Sequence, residues 1–172
     1  MKNSIAVLTT LLTLAGTAKA HVVFGNGTAA PGEFHVADLR IFHGCEGSPT
    51  IEVTMDIPDN VTRVRPRSLP GWEVSVQKVT LSEPIVVHGF EVTEKVGSVT
   101  WRGGSIPDFA YQQFEVHFMT PDTPGEALSF PVHQICKKGR LDWDDPAVDD
   151  ESFRTLPEPA PFITIRDEEK HD

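Results

Sequence analysis

The chain has 172 residues, with 25 Asp and Glu set against 15 Lys and Arg, for a formal charge of −10. That balance argues against nucleic acid or an anionic lipid surface as partner, because both call for cationic protein surface. The length allows one domain with a substantial core.

In chain order, the first twenty residues read as an export signal. Lys2 gives the positive start, Ile5 to Leu14 an apolar run broken by Thr9, Thr10 and Thr13, and Gly16, Ala18 and Ala20 the small-residue cleavage region. The predicted cut falls between Ala20 and His21, giving a periplasmic or secreted protein that starts at His21. Loss of Lys2 and Lys19 takes the charge to near −12. The apolar run is shorter than the roughly 20 residues of a membrane span, and no other segment approaches that length, so no transmembrane segment is expected in the mature chain.

The remainder reads as strands and turns. His21–Phe24 is a short first strand, followed by turn signals at Gly25-Asn26-Gly27 and Pro31-Gly32. Strands are expected over Phe34–Phe42 and, most clearly, Thr50–Ile57, where Ile51, Val53, Met55 and Ile57 alternate with Glu52, Thr54 and Asp56. Val61–Arg67, Trp72–Val79, Ile85–Val92, Gly97–Trp101 and Tyr111–Met119 follow. In Ala127–Cys136, Leu128, Phe130, Val132 and Gln134 share a face, and Lys138-Gly139 turns the chain into Arg140–Trp143. No stretch carries a convincing apolar period of 3.6 residues, so the chain is expected to be an all-β sandwich. Asp144–Pro161, rich in acid and proline, reads as an exposed and poorly ordered arm; Phe162–Ile165 is a candidate last strand, and residues 167–172 a charged tail. The folded domain is accordingly bounded at 21–166.

Cys45 and Cys136 are the two cysteines. In an oxidising compartment an even pair reads as a disulfide, with a thiolate metal site as the competing reading. There is no HExxH, no GxSxG, no Gly-rich phosphate loop and no nucleophile setting around either cysteine. Trp72 and Trp101 are in strand phase and read as core. Trp143 lies beside Asp142, Asp144 and Asp145 and reads as covering a site or resting on the rim.

His21 stands apart from the other histidines because cleavage would create a second ligand beside it. A free α-amine and imidazole Nδ1 form a nitrogen-rich chelate suited to Cu(II), whose tetragonal preference accepts in-plane nitrogen and oxygen donors. A third donor has to come from another strand. His35, across a Pro-Gly turn, is one choice and Glu33 the oxygen alternative, and strand parity alone does not separate them. With only Met55 and Met119 left after cleavage, a thioether Cu(I) site is disfavoured.

These residues resemble the YcnI-like copper-binding family of exported bacterial proteins. The resemblance rests on the Ala-x-Ala-His start with His21-Val22-Val23, Ile57-Pro58, Pro70-Gly71-Trp72, Thr100-Trp101-Arg102-Gly103-Gly104, Phe114, and Gln134 through Gly139-x-x-x-Trp143. His43-Gly44-Cys45 and Gln134-x-Cys136 look like the branch of that family with a cysteine pair. The resemblance implies an immunoglobulin-like β-sandwich with a Cu(II) site on the mature N-terminal histidine and a tryptophan, matching Trp143, nearby. Where the family has a carboxylate ligand, an ungapped match puts His35, which would make a two-histidine brace.

Three functions follow. The first is a non-enzymatic, exported copper-binding protein for periplasmic or envelope copper trafficking or homeostasis. Its partners would be the copper ion and periplasmic or membrane copper-transport proteins. The second is a histidine-brace copper monooxygenase acting on polysaccharide, and the third a metal-free envelope interaction module. The first is favoured, with His21 and His35 as ligands, Trp143 beside the metal, and a Cys45–Cys136 bridge holding the surroundings.

Overall fold

The computed structural model describes residues 21–87 and 90–166, with side chains described outside 85–90. The expected signal (1–20) and charged tail (167–172) lie outside the described residues.

A four-stranded sheet runs in the order β1 (Val23–Phe24), β3 (Phe34–Ile41), β8 (Gln112–Met119), β5 (Thr62–Pro66). A five-stranded sheet runs β11 (Arg140–Trp143), β10 (Val132–Cys136), β4 (Thr50–Asp56), β7 (Phe90–Ile106), β6 (Glu73–Val87). Alternation dictates which face each strand buries. Ala37, Leu39 and Ile41 of β3 and Phe114, Val116 and Phe118 of β8 point inward from one sheet. Val53, Met55, Val99, Trp101, Val132 and Trp143 do so from the other. The two faces meet in one core, where Trp101 packs on Phe114 with ring centroids 5.1 Å apart. A third sheet of β2 (Thr28–Ala29), β12 (Phe162–Ile165) and β9 (Ala127–Ser129) adds Ala29, Leu128, Ile163 and Ile165 to that core. Among the described residues no helix is long and apolar enough to cross a membrane.

The all-β sandwich expected from the sequence is therefore present, but the single strand expected at Ala127–Cys136 is divided between β9 and β10 in different sheets, broken at Phe130-Pro131, and three further differences follow. The strands expected at Trp72–Val79, Ile85–Val92 and Gly97–Trp101 are parts of one long hairpin, β6 and β7. Register shifts at Gln77/Lys78 and Thr80/Ile85 interrupt the two-residue period, so one hairpin reads as several strands. Trp143 is not on the rim but fully buried. Asp142 and Trp143 project to opposite faces of β11, so the neighbouring aspartates say nothing about where the ring goes.

The third difference is the acidic arm. Residues 144–161 fold back on themselves instead of forming a poorly ordered segment. Asp145 and Pro159 make a parallel bridge, Ala160 N donates to Asp145 O (2.8 Å), and Ala147 and Ala160 are buried. Between them lies a six-residue helix, α1 (Asp150–Thr155), too short to show an apolar period. Its start is specified by a capping box: Ser152 N donates to Asp149 Oδ1 (2.7 Å), and Asp149 N to Ser152 Oγ (3.2 Å).

Candidate metal centre

The site begins with a buried amide. Gln134 lies in the inward row of β10 with no exposed surface, so its polar atoms need partners inside the protein. Its Nε2 donates to the His43 carbonyl and to Thr50 Oγ1, both at 2.7 Å. Its Oε1 accepts from Trp143 Nε1 at 3.0 Å. Both amide hydrogens and the carbonyl are thereby used, and the indole of Trp143 is held in one orientation. The β10–β11 hairpin brings the two residues together: Val132 pairs with Trp143 and Gln134 with Leu141. The turn is made at Gly139, whose φ of +82° suits a residue without a Cβ.

The loop after β3 is tied to the same place. Cys45 and Cys136 form a disulfide, so the thiolate metal site is not what these two residues build. Cys45 and Ser48 exchange backbone hydrogen bonds of 3.0 and 2.9 Å, and Gly44 N donates to Asp108 Oδ1 (3.1 Å). A side chain at Gly44 would put its Cβ 1.9 Å from the Ser48 carbonyl oxygen, so glycine is required there.

Two imidazoles rest on the Trp143 indole. His21 meets it edge-on with centroids 6.0 Å apart at 63°, and His43 meets it at 6.1 Å and 66°. His21 also meets Phe153 of α1 edge-on at 5.3 Å and 88°, so the folded arm forms one wall of the site. A groove of about 810 Å³ lined by Val23, Phe24, Asp149, Phe153, Phe162 and Thr164 runs beside it.

The structure thus brings His21 and Trp143 together, but not His35. β1 pairs with β3 through Val23–Arg40 and Phe24–Leu39. Continuing that antiparallel register puts His21 near Phe42, seven positions, or roughly 23 Å, from His35. The two-histidine brace expected from the ungapped match is not assembled. Glu33 is at the same far end, its N donating to Thr120 Oγ1 (3.0 Å). His35 faces inward against Phe118 (5.7 Å), and its Nε2 is buried with no hydrogen-bond partner among the described residues. Burial lowers its pKa; the nearby Asp38 carboxylate opposes the shift and Arg166 adds to it. Among the described residues no group of three or more His, Cys, Asp or Glu converges to hold a metal ion. Among the described residues, the side chains that touch the Trp143 ring and could donate to a metal are the imidazoles of His21 and His43.

Sequence reasoning missed His43, Gln134 and Phe153 as parts of this site. Gln134 carried a signal, a polar side chain in step with Leu128, Phe130 and Val132. His43, two residues from a bridged cysteine, lies 22 positions along the chain from His21, and only the strand register places it beside that residue.

The fold and its end-site define an immunoglobulin-like β-sandwich. A crystal structure of an uncharacterized protein from Nocardia farcinica, which reveals an immunoglobulin-like fold, superposes with a TM-score of 0.64 at 25% identity over 85% of this chain and 98% of that one. The chain belongs to the family described as Domain of unknown function (DUF1775), which matches residues 21–165. It is similar to the copper-binding protein CutI of Bacillus subtilis (strain 168), at 28% identity over 138 residues, or 79% of this chain and 60% of that protein. The chain therefore spans less than two thirds of that relative's length. Membership of a YcnI-like family, as expected from the sequence, is upheld.

Proposed function

We propose that this is an exported copper(II)-binding protein serving copper trafficking or homeostasis in the periplasm or cell envelope, with the metal as cargo at His21. One observation carries the reading: the imidazole of His21 is seated on an indole that a fully satisfied buried network holds in place. The similarity to a copper-binding protein and a family match that starts at His21 support it.

The donor chemistry fits Cu(II). Cleavage before His21 would supply the α-amine, and amine plus Nδ1 chelate as a nitrogen pair. Trp143 and Phe153 supply apolar walls that restrict water at the metal. The amine must lose its proton to bind, so affinity should fall as pH drops below about 7.7.

The test is electron paramagnetic resonance of one equivalent of Cu(II) on protein starting at His21, compared with protein carrying one extra residue before it. A nitrogen-rich tetragonal signal that is lost on extension supports the terminal chelate. Identical spectra reject it. His21→Ala should abolish specific binding.

A second reading, a copper monooxygenase on polysaccharide, draws on one feature beside the site. Phe42, Phe109 and Tyr111 are exposed, and Phe42 lies beside Tyr111 with ring centroids 5.9 Å apart, leaving aromatic surface of the kind that sugars pack against. Release of oxidised sugars from chitin or cellulose by reduced, copper-loaded protein would favour this reading over trafficking.

A further inference from the structure

We infer that His43 is a second imidazole ligand of the metal at His21, taking the position that the sequence had offered to His35. The inference rests on the copper reading above and specifies the donor set of that site.

The first argument is position. His43 lies one residue beyond Phe42, the residue that the β1–β3 register sets beside His21. His21 and His43 meet the same indole at nearly equal distance and inclination. A terminal histidine supplies two nitrogens from one residue, and a third protein donor must reach the metal from a neighbouring strand. The β3 end beside β1 offers His43; the opposite end carries His35 and Glu33.

The second argument is the tautomer. His43 Nδ1 lies 2.5 Å from the Gly44 carbonyl oxygen. A carbonyl only accepts, so Nδ1 carries the hydrogen. In the neutral ring the lone pair is then on Nε2. A ring nitrogen donating to a backbone carbonyl while the other bears the lone pair is the arrangement that orients metal-bound histidines.

The third argument is rigidity. The backbone that carries this ring is fixed from four directions: Gln134 Nε2 to the His43 carbonyl, Gly44 N to Asp108, the Cys45–Ser48 bridge, and the Cys45–Cys136 disulfide. Gln134 reaches both the His43 backbone and the Trp143 indole, so one amide sets the ring and the wall it rests on. A site so supported loses little conformational freedom on binding.

The experiment is pulsed electron paramagnetic resonance on protein starting at His21 with one equivalent of Cu(II), which counts coordinated imidazoles through their remote nitrogens. Wild type should show two. His43→Gln should show one and bind Cu(II) at least about tenfold more weakly, while His21→Ala should lose the specific signal. One imidazole in wild type, with spectrum and affinity unchanged in His43→Gln, overturns the assignment and leaves the His21 site standing. A wild-type signal that survives His21→Ala overturns the copper reading itself and this inference with it. Near-ultraviolet circular dichroism of the tryptophans reports whether His43→Gln is folded. Were it not, the wild-type imidazole count alone decides the matter.

Discussion

At the end of β3 that meets β1, Gln134, Trp143, Thr50 and the His43 carbonyl form a network in which both amide hydrogens, the amide oxygen and the indole N–H are all engaged. At the other end the inward-facing ring of His35 has a buried Nε2 without a partner among the described residues. Both ends bury a polar side chain against aromatic rings, but the hydrogen bonds of the second, from Thr120 to Ala30 and Glu33, do not reach the His35 ring. The difference lies in the chain that reaches each end. The β10–β11 hairpin and the disulfide-bonded loop 43–49 converge on the first, whereas the second meets Phe118. Buried polar groups that satisfy one another fix geometry; an isolated one costs stability and fixes nothing. A ligand site needs fixed geometry, and the well-partnered end is where His21 and His43 are found.

The comparison breaks most severely if the disulfide is removed. Cys45 and Cys136 are 91 residues apart, and in the chain-entropy view a loop of that length contributes about 4–5 kcal/mol. Cys45→Ser with Cys136→Ser should lower the urea unfolding free energy by that order and weaken Cu(II) binding as the His43 loop loosens. A loss under about 1 kcal/mol would mean that the hydrogen bonds hold this end unaided. Gln134→Leu comes next. It keeps the apolar phase of β10 but leaves the Trp143 N–H and the His43 carbonyl buried without their partner. At about 1–3 kcal/mol for each such group, less what Thr50 recovers, a loss of about 2–4 kcal/mol is expected in the same measurement. A neutral Gln134→Leu would show that the network does not organise the site.

The sandwich was legible in the sequence because alternation survives in β3, β4, β8 and β10, where Leu39, Val53, Phe114 and Val132 mark the inward face. The arm was not, because acid and proline composition reports solvation while α1 is specified by one capping box and two buried alanines. The site was half legible. His21 and Trp143 were visible as a histidine at the expected cleavage point and a tryptophan that the family resemblance singles out. The choice of His35 failed because proximity in sequence across a hairpin does not give the pairing register. Only the Val23–Arg40 pairing shows that His35 and His21 lie at opposite ends of β3.

The unpartnered end should respond in the opposite sense to substitution. His35→Leu removes a buried polar atom with no partner to orphan, so it should leave stability unchanged or raise it by up to about 1 kcal/mol. Burial holds the folded-state pKa of His35 below 6.5, so below that pH the unfolded chain takes up a proton that the folded chain refuses. His35 therefore costs more stability as the solution is acidified, and the advantage of His35→Leu should widen from pH 7.5 to pH 5.5 in thermal melts. Its Cu(II) spectrum should match wild type. A changed spectrum would return His35 to the site.

A third histidine sharpens the contrast at the smallest scale. His133 lies on the outward face of β10, with Nδ1 2.7 Å from Asp142 Oδ1 and Nε2 3.4 Å from Asp56 Oδ2. Burial pulls its pKa down, but the hydrogen bonds and charges of Asp142 and Asp56 outweigh burial and hold it above 6.5. A raised folded-state pKa means that the stabilisation is fully present below about 6.5 and lost as pH rises through the folded value. Asp142 sets the acid limit. The hydrogen bond from Arg140 leads in depressing its pKa, burial opposes, and His133 adds to the depression, so its contribution disappears only as pH falls below about 3.9 towards the depressed value. His133→Asn should therefore lower the melting temperature more at pH 5.5 than at pH 8.5, the reverse of what pH does to the cost of His35. The ring is about 30% exposed and water screens the pair, so the effect should be the smallest of the four and should shrink further in salt. If His133→Asn and His35→Leu shifted stability with pH in the same direction, hydrogen-bond partners would not be what separates a histidine that gains from its proton from one that is harmed by it.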